Sequence, residues 1–191
     1  MATQLDIGER IALLVLWTGA SVVGQYIYYN LRVGGFMISS LFRGVVAVIV
    51  LAVIWGIVGG IIGILQRLIL RQAGLAIKRW ADWTAVGWAL GGAANGIMIG
   101  LGMGIQNYLL NEAVLGFAIG VAQWVRLRKY VRHAGWWIIA NSVGMLINLP
   151  IAGFILGLQT GVITGLVLIG LISHPVQLAE AKTQNEGVVP S

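Results

Sequence analysis

The sequence contains no cysteine, and its 191 residues include only six acidic residues, two histidines and three prolines. The absence of cysteine excludes disulfide bonds and thiolate metal sites. Charged residues make up 9% of the chain, too few to cover the surface of a water-soluble domain of this size. Because 59% of the residues are apolar and the mean hydropathy is +0.91, the excess apolar surface is expected to face lipid.

The net charge of +6 does not indicate a nucleic-acid partner, because the basic residues lie beside apolar segments. Two groups dominate, one between residues 67 and 79 and one between residues 126 and 132. Basic residues in such positions set the orientation of a membrane protein. The lipid bilayer is therefore the expected partner, and nucleic acid is not.

The apolar stretches predict an all-α, polytopic transmembrane bundle of about six helices, a single integral membrane domain over residues 1–191. The run 136–173 is too long for one crossing, so we place a turn at its most polar point, Leu158-Gln159-Thr160. Pro150 should kink the helix before that turn. The polar tail 179–191 lacks helical periodicity. The predicted spans are 11–30, 44–67, 84–105, 109–127, 136–156 and 160–173.

The distribution of charge predicts that both termini are cytoplasmic. If the loops after spans two and four face the cytoplasm, ten of the 12 Lys and Arg residues lie inside, and only Arg32 and Arg43 lie outside. Asp6 and Glu9 favour a retained first helix over a cleaved signal peptide, whose first region would be basic. Aromatic residues at the span ends indicate two interfacial belts: Trp80, Trp83, Trp124, Trp136 and Trp137 on the cytoplasmic side, and Tyr26, Tyr28, Tyr29 and Tyr108 on the other.

The chain contains an internal repeat, because the landmarks of residues 59–104 recur without a gap in residues 116–161. Gln66 falls on Gln123, and Trp80 falls on Trp137. Each copy holds the end of one span, a basic loop and the next span, so the unit is predicted to be a helical hairpin. Equivalent helices run in the same direction, which favours a pseudo-rotation about the membrane normal. The first and last spans show fainter traces of the same pattern. In the first span, Trp17 lies seven residues before Gly24. In the last span, Gly161 and Gly165 have the same spacing as Gly59 and Gly63 and are matched to them.

Glycines spaced four residues apart are predicted to form helix-packing faces. Small residues at this spacing allow helix backbones to approach closely in lipid. The stripe in span three is expected to face another helix rather than lipid, with Gly96 and Gly100 at its centre. The predicted packing glycines are Gly92, Gly96, Gly100, Gly104, Gly116, Gly120, Gly153, Gly157, Gly161 and Gly165.

Two strings of the second copy resemble a group of small, uncharacterised multi-pass membrane proteins of cyanobacterial type. The strings are Gly116-x-x-x-Gly120-x-x-Gln123-Trp124-x-x-Leu127-Arg128 and Trp136-Trp137-x-x-Ala140-x-x-x-Gly144. The likeness covers roughly residues 59–170, and the first copy departs from it with Arg67 in place of Trp124. The resemblance implies an integral membrane protein, and it implies no active residues. The expected location is the bacterial inner membrane or the thylakoid membrane.

A few polar residues are candidates for function. Gln66 and Gln123 can bond neighbouring helices or line a central vestibule, and Arg71 and Arg128 follow them at positions from which they can reach lipid phosphates. Three amides lie deeper in the spans and can line a pathway for a neutral solute or clamp helices together. They are Asn95, Asn141 and Asn148.

The acidic residues are all expected in loops, tails or interfaces, which leaves no carboxylate for coupling to protons or sodium. No paired catalytic groups lie within the predicted spans, so we expect no enzyme activity, metal or cofactor. The leading hypothesis is a non-enzymatic accessory or scaffold component of a membrane complex, with other membrane subunits or copies of itself as partners. The alternative is an uncoupled channel or facilitator for a small neutral solute or lipid.

Overall fold

The structure of the protein is a computed structural model that describes residues 5–41, 44–103, 107–147 and 157–174. These residues form six α-helices and no strands. Predictions for Gly104, Asn148, Pro150, Gly153 and the tail 179–191 lie outside the described residues. The helices are α1 (Ile7–Leu41), α2 (Val45–Gln72), α3 (Trp80–Gly100), α4 (Tyr108–Leu127), α5 (Trp136–Ile147) and α6 (Leu158–Ile172).

Three of the helices are long and apolar enough to cross a membrane. They include Ile7–Leu31 of α1 and the whole of α2 and α4. The described parts of α5 and α6 are apolar but shorter, with 12 and 15 residues. The all-helical architecture is thus compatible with a membrane location.

The helices form a closed ring in which each one packs against two neighbours. The contacts run from α1 through α2, α3, α4 and α5 to α6, and α6 then packs against α1. The first and last helices of the chain are therefore neighbours. This arrangement surrounds a centre to which all six helices contribute.

Two clusters of buried residues fill this centre at different levels. The first is built around Trp17, Trp80 and Trp137, and it also contains Ile77 and Val131 from the loops after α2 and α4. Leu13 near the start of α1 and Leu171 near the end of α6 belong to the same cluster. The start of α1, the end of α6 and both basic loops therefore lie at one end of the ring. The second cluster contains Tyr28, Trp55, Trp88, Leu115 and Met145.

Two predicted boundaries are wrong. Helix α1 continues to Leu41, where the sequence pattern predicts a loop from residue 31. No proline interrupts residues 31–41, so the backbone can continue the helix through this stretch. The predicted turn at Leu158-Gln159-Thr160 is the first turn of α6. The chain instead adopts a left-handed conformation at Gly157, with φ of 89°, which glycine adopts without the steric cost of a Cβ.

Candidate functional site

The centre of the ring contains three tryptophan side chains in mutual contact. The ring centroids of Trp17 and Trp80 lie 6.4 Å apart, those of Trp17 and Trp137 5.7 Å, and those of Trp80 and Trp137 6.1 Å. All three pairs meet edge to face, a favourable arrangement for aromatic rings. We call these three residues the tryptophan triad. They come from α1, α3 and α5, the alternate helices of the ring.

Each indole of the tryptophan triad donates a hydrogen bond to a polar side chain on a neighbouring helix. Trp80 Nε1 lies 3.1 Å from Gln66 Oε1, and Trp137 Nε1 lies 2.9 Å from Gln123 Oε1. Trp17 Nε1 lies 3.0 Å from Thr164 Oγ1. The same contact thus recurs in three helix pairs, α2 with α3, α4 with α5, and α6 with α1.

The two glutamines are also bonded to each other. Gln123 Nε2 lies 3.0 Å from Gln66 Oε1 and 2.9 Å from Thr84 Oγ1. All of these groups are buried, so each bond forms in a medium of low dielectric, where unpaired polar groups are costly. Gln66 and Gln123, predicted from sequence as the best polar candidates, are therefore brought together by the fold.

The residue four positions after each triad tryptophan bonds back to the carbonyl of that tryptophan. Ser21 Oγ, Thr84 Oγ1 and Asn141 Nδ2 lie 3.0, 2.9 and 2.9 Å from their respective carbonyl oxygens. Ser, Thr and Asn can all make this bond to the preceding turn. Because the donor proton of each hydroxyl is directed at a carbonyl, the hydroxyl oxygens of Ser21 and Thr84 retain acceptor capacity toward the centre of the ring.

Close backbone approach lets each tryptophan reach its partner. A Cβ added at Gly63 would lie 2.7 Å from Ala81 Cα, one at Gly120 would lie 2.9 Å from Ile138 Cα, and one at Gly161 would lie 2.7 Å from Thr18 Cα. In each case the residue approached follows a triad tryptophan directly. A side chain at any of these glycines would push the two helices apart.

The register of α6 differs from the predicted one by one helical turn. Gly161, and not Gly165, has the same surroundings as Gly63 and Gly120. Gly165 approaches the side chain of Leu14, with a Cβ distance of 2.8 Å. The sequence comparison missed this register because α6 carries Thr164 where the other two helices carry glutamine.

Below the tryptophan triad lies a cavity of about 40 Å³. A cavity needs roughly 10–15 Å³ per water molecule, so this one has room for a few. All of its lining residues are buried. They are the polar residues Ser21, Gln25, Gln66, Asn141, Thr160 and Thr164, together with Trp17, Gly24, Ile62, Trp88, Ile119 and Met145.

The second cluster closes the other side of this cavity. Tyr28, Trp55 and Trp88 are in contact, with ring centroids 4.7 to 6.3 Å apart. The hydroxyl of Tyr28 donates to Glu112 Oε1 at 2.8 Å. Glu112 is completely buried. The expectation that every acidic residue lies in a loop, tail or interface is thus wrong for Glu112, because α4 begins at Tyr108 and carries this carboxylate into the ring.

The predicted aromatic belts are partly wrong, because some of their residues lie inside the ring. Trp80 and Trp137 are completely buried, and Tyr28 is 2% exposed, so these three are core residues. Their indole or phenol groups bond polar atoms inside the ring, which a position at the membrane surface would not allow. Trp136 and Tyr26 are 60% and 65% exposed.

Arg71, Arg128 and Asn95 do not join the central network. Arg71 and Arg128 are exposed, and the guanidinium carbon of Arg128 lies 4.7 Å from the ring centroid of Trp124. Asn95 is half-buried, and its Oδ1 has no hydrogen-bond partner among the residues that the structure describes. Asn141 lines the cavity.

The glycine stripe of α3 contacts a neighbouring helix over only part of its length. Gly92 packs on Trp55, and a Cβ added at Gly96 would lie 3.0 Å from Val48 Cα. At Gly100 the predicted contact is not found among the described residues, none of which lies within 4 Å of a Cβ added there. Helix α2 begins at Val45, only three residues before Val48, which lies opposite Gly96. Helix α2 therefore extends only about one turn past Gly96 toward Gly100.

The packing glycines of the other helices lie against the backbone or side chains of neighbouring helices in the ring. A Cβ added at Gly116 would lie 2.6 Å from Asn141 O, and one at Gly157 would lie 2.7 Å from Ser21 O. These distances are too short for any side chain. The stripes on α4 and α6 therefore face the inside of the ring rather than its exterior.

Sequence reasoning missed several residues of the centre, among them Trp17, Thr164, Tyr28 and Glu112. Trp17 had a signal, its spacing of seven residues from Gly24, which matches that of Trp80 from Gly87. Thr164 had none, because threonine is common in apolar helices. Tyr28 and Glu112 are 84 positions apart and belong to no repeated pattern.

The described residues contain no group of three His, Cys, Asp or Glu side chains that could hold a metal ion. No protein-family profile, curated protein or solved structure matches this chain. Its function is therefore argued from the geometry of the ring alone.

Proposed function

We propose that the chain is a six-helix integral membrane protein, with both termini cytoplasmic, that acts as a non-enzymatic accessory or scaffold component of a membrane complex. The observation that carries this proposal is the direction of the polar groups. The side chains of Gln66, Gln123 and Thr84 point to the centre and bond one another, whereas large aliphatic side chains cover the outside of the ring. This is the reverse of a water-soluble protein and suits a lipid solvent.

Helix α2 presents the clearest outward surface. Five aliphatic side chains along this surface are between 48% and 62% exposed: Ile49, Val53, Ile57, Ile61 and Ile64. Because the glycine faces contact neighbours inside the ring, a partner subunit would meet such aliphatic faces instead. We propose this stripe as a surface for lipid or a second membrane subunit.

The position of the chain ends supports the proposed orientation. The start of α1, the end of α6 and both basic loops share one end of the ring. An even number of crossings with the basic loops inside places these ends together in the cytoplasm. The proposed topology and the packing of the ring are therefore consistent.

We also propose that the ring is built from three related helix pairs. The pairs are α2 with α3, α4 with α5, and α6 with α1, and each carries an indole hydrogen bond and a close glycine contact. Three such pairs give a pseudo-threefold axis through the tryptophan triad. The third pair consists of the two ends of the chain, which explains why a search for consecutive repeats finds only two copies.

The scaffold function is tested by photo-crosslinking in the native membrane. A photoreactive amino acid at Ile57 faces outward, whereas one at Val58, which is 3% exposed, faces the ring and serves as a control. We expect one defined protein partner to crosslink from position 57 and none from position 58. Crosslinking to lipid alone from position 57 and from the other exposed α2 positions would contradict a scaffold function for this face.

The second candidate is a facilitator for a small neutral solute, and the central cavity favours it. The cavity lies between the tryptophan triad and the cluster of Tyr28, Trp55 and Trp88, and its polar lining suits a hydrogen-bond donor of the size of water. In this case Trp17→Ala should raise solute flux into proteoliposomes by removing one of the two closures. Flux equal to that of empty liposomes for both the parent and Trp17→Ala would exclude this candidate.

A further inference from the structure

We propose that the cleft between the start of α5 and the end of α6 binds the headgroup of an anionic phospholipid. The cleft has a volume of about 280 Å³. Arg132, His133 and Trp136 line one side of it, and Val167, Gly170 and Leu171 line the other. This inference rests on the proposed membrane location.

The mouth of the cleft is held in place by backbone contacts. The amide nitrogen of Arg132 donates to the carbonyl oxygen of His174 at 3.0 Å, which ties the loop before α5 to the end of α6. The ring nitrogen Nδ1 of His174 donates to the carbonyl oxygen of Gly170, also at 3.0 Å. His133 has a left-handed backbone conformation, with φ of 56°. The basic rim therefore belongs to an ordered turn.

The rim carries the positive charge of Arg132. Arg132 and His133 are exposed, and Arg132 forms no ion pair with any residue that the structure describes. A guanidinium is well suited to a phosphate, to which it can donate two parallel hydrogen bonds. The charge at the mouth thus matches a phosphodiester.

The floor of the cleft is apolar. Val167 is half-buried and Leu171 is buried. No described residue lies within 4 Å of a Cβ added at Gly170, so the described residues leave the groove along α6 open. Trp136 is 60% exposed at the rim, where an indole lies well between headgroups and acyl chains. A basic rim above an apolar groove matches a phospholipid, which joins a phosphate to an acyl chain, better than it matches a free anion.

A cleft at the corresponding place between α1 and α2 provides an internal comparison. On one side of it, Leu16 directly precedes a triad tryptophan, as Trp136 does in the α5–α6 cleft. On the other side, Gln72 lies six residues after the indole acceptor Gln66. Gly170 lies six residues after the indole acceptor Thr164 in the same way. That cleft has a volume of only about 110 Å³. Its lining contains no basic residue: Leu5, Glu9, Ala12, Leu13, Leu16, Ile69, Gln72 and Ala73. Both the basic rim and the open groove are therefore particular to the α5–α6 cleft.

The test is a lipid titration of the full chain in detergent, followed by native mass spectrometry. Phosphatidylglycerol and phosphatidylcholine with the same acyl chains are compared, and we expect one phosphatidylglycerol to bind in preference. Arg132→Gln should weaken this binding about fivefold, since a basic residue near an anionic lipid surface contributes on the order of 1 kcal/mol. Gly170→Leu should abolish it by filling the groove. Lys78→Gln, which removes an exposed charge from the other basic loop, is the matched control and should bind as the parent does.

The possible results separate this site from the alternatives. Equal binding of the two lipids, or unchanged binding in Arg132→Gln and Gly170→Leu, would overturn the proposal. A dimer that Gly170→Leu dissociates would show that a second copy of the chain fills the cleft, and displacement of the lipid by inorganic phosphate alone would show a site for free anions. Extraction of cell membranes with alkaline carbonate tests the proposed function separately, because release of the parent chain contradicts only the membrane location.

Discussion

The side-chain amides of Gln66 and Gln123 lie 3.0 Å apart, nitrogen to oxygen, in the buried centre of the ring. These residues occupy the same position in the two sequence copies, 57 residues apart. Each also accepts the indole hydrogen of a triad tryptophan. One substitution at this contact therefore affects several buried groups at once.

Replacing Gln123 by leucine should destabilise the ring by about 2–3 kcal/mol. The change removes the acceptor of Trp137 Nε1 and the donor to Gln66 and Thr84, and it leaves a buried indole hydrogen unpaired. Thermal unfolding in detergent measures the loss. Gln72→Leu, at an exposed position near the end of α2, is the control and should change the midpoint little. Equal midpoints for both variants would show that the central network contributes no stability.

Gly96→Leu and Gly100→Leu should have different effects although both lie on the same stripe of α3. A side chain at position 96 meets the backbone of Val48, so the larger residue should cost about 1–3 kcal/mol. No described residue lies within 4 Å of a Cβ at position 100, so leucine should be tolerated there. Thermal melts of the two variants in the same detergent compare them directly. A larger loss at position 100 would contradict the observed packing of α2 on α3.

The three triad tryptophans should respond alike to replacement by phenylalanine. Trp17→Phe, Trp80→Phe and Trp137→Phe each keep a ring in the triad but remove one buried hydrogen bond, so each should lose about 1–2 kcal/mol. Trp136→Phe, at an exposed position, should lose almost nothing. Chemical unfolding followed by circular dichroism gives the values. A Trp17 variant as stable as the parent would argue against the equivalence of the third helix pair.

Tyr28→Phe and Glu112→Leu should couple in a double-mutant cycle. The phenol donates to the buried carboxylate at 2.8 Å, so the loss of either partner should cost about 1–3 kcal/mol. The double variant should lose less than the sum of the two single losses, because the second change removes a bond that is already broken. Tyr26→Phe on the exposed side of α1 is the control. Strict additivity would mean that the two side chains are not bonded in the folded protein.

The absence of cysteine makes the topology directly testable by labelling. Single cysteines at Lys78, Asn107 and Arg132, which are all exposed, can be treated with a membrane-impermeant maleimide in intact cells. We expect labelling at position 107 only, and labelling at positions 78 and 132 after the membrane is opened. Labelling of position 78 in intact cells would reverse the proposed orientation.

The order of the helices and the importance of the two glutamines could be predicted from local sequence. Hydrophobic runs and the basic residues beside them are local signals that do not depend on tertiary contacts. They predicted α2, α4 and the basic loops well. The matching of Gln66 with Gln123 also needed only the chain itself. The hydrogen-bond partners of the two glutamines could not be predicted. From sequence alone, the indoles of Trp80 and Trp137 suit a membrane surface as well as they suit the interior of a bundle.

The sequence by itself determined that the chain is helical, that it is apolar enough for lipid, and that polar amides recur at a fixed spacing. The tertiary structure alone decided that α1 packs on α6, which brings Trp17 to Trp80 and Trp137 although no repeat marks that pair clearly. The physical reason is that burial of a large aromatic ring depends on surfaces from three helices that are distant in the chain. Closure of the ring also decided that Glu112 is internal and that no described residue contacts a Cβ at Gly100, since both depend on where other helices begin.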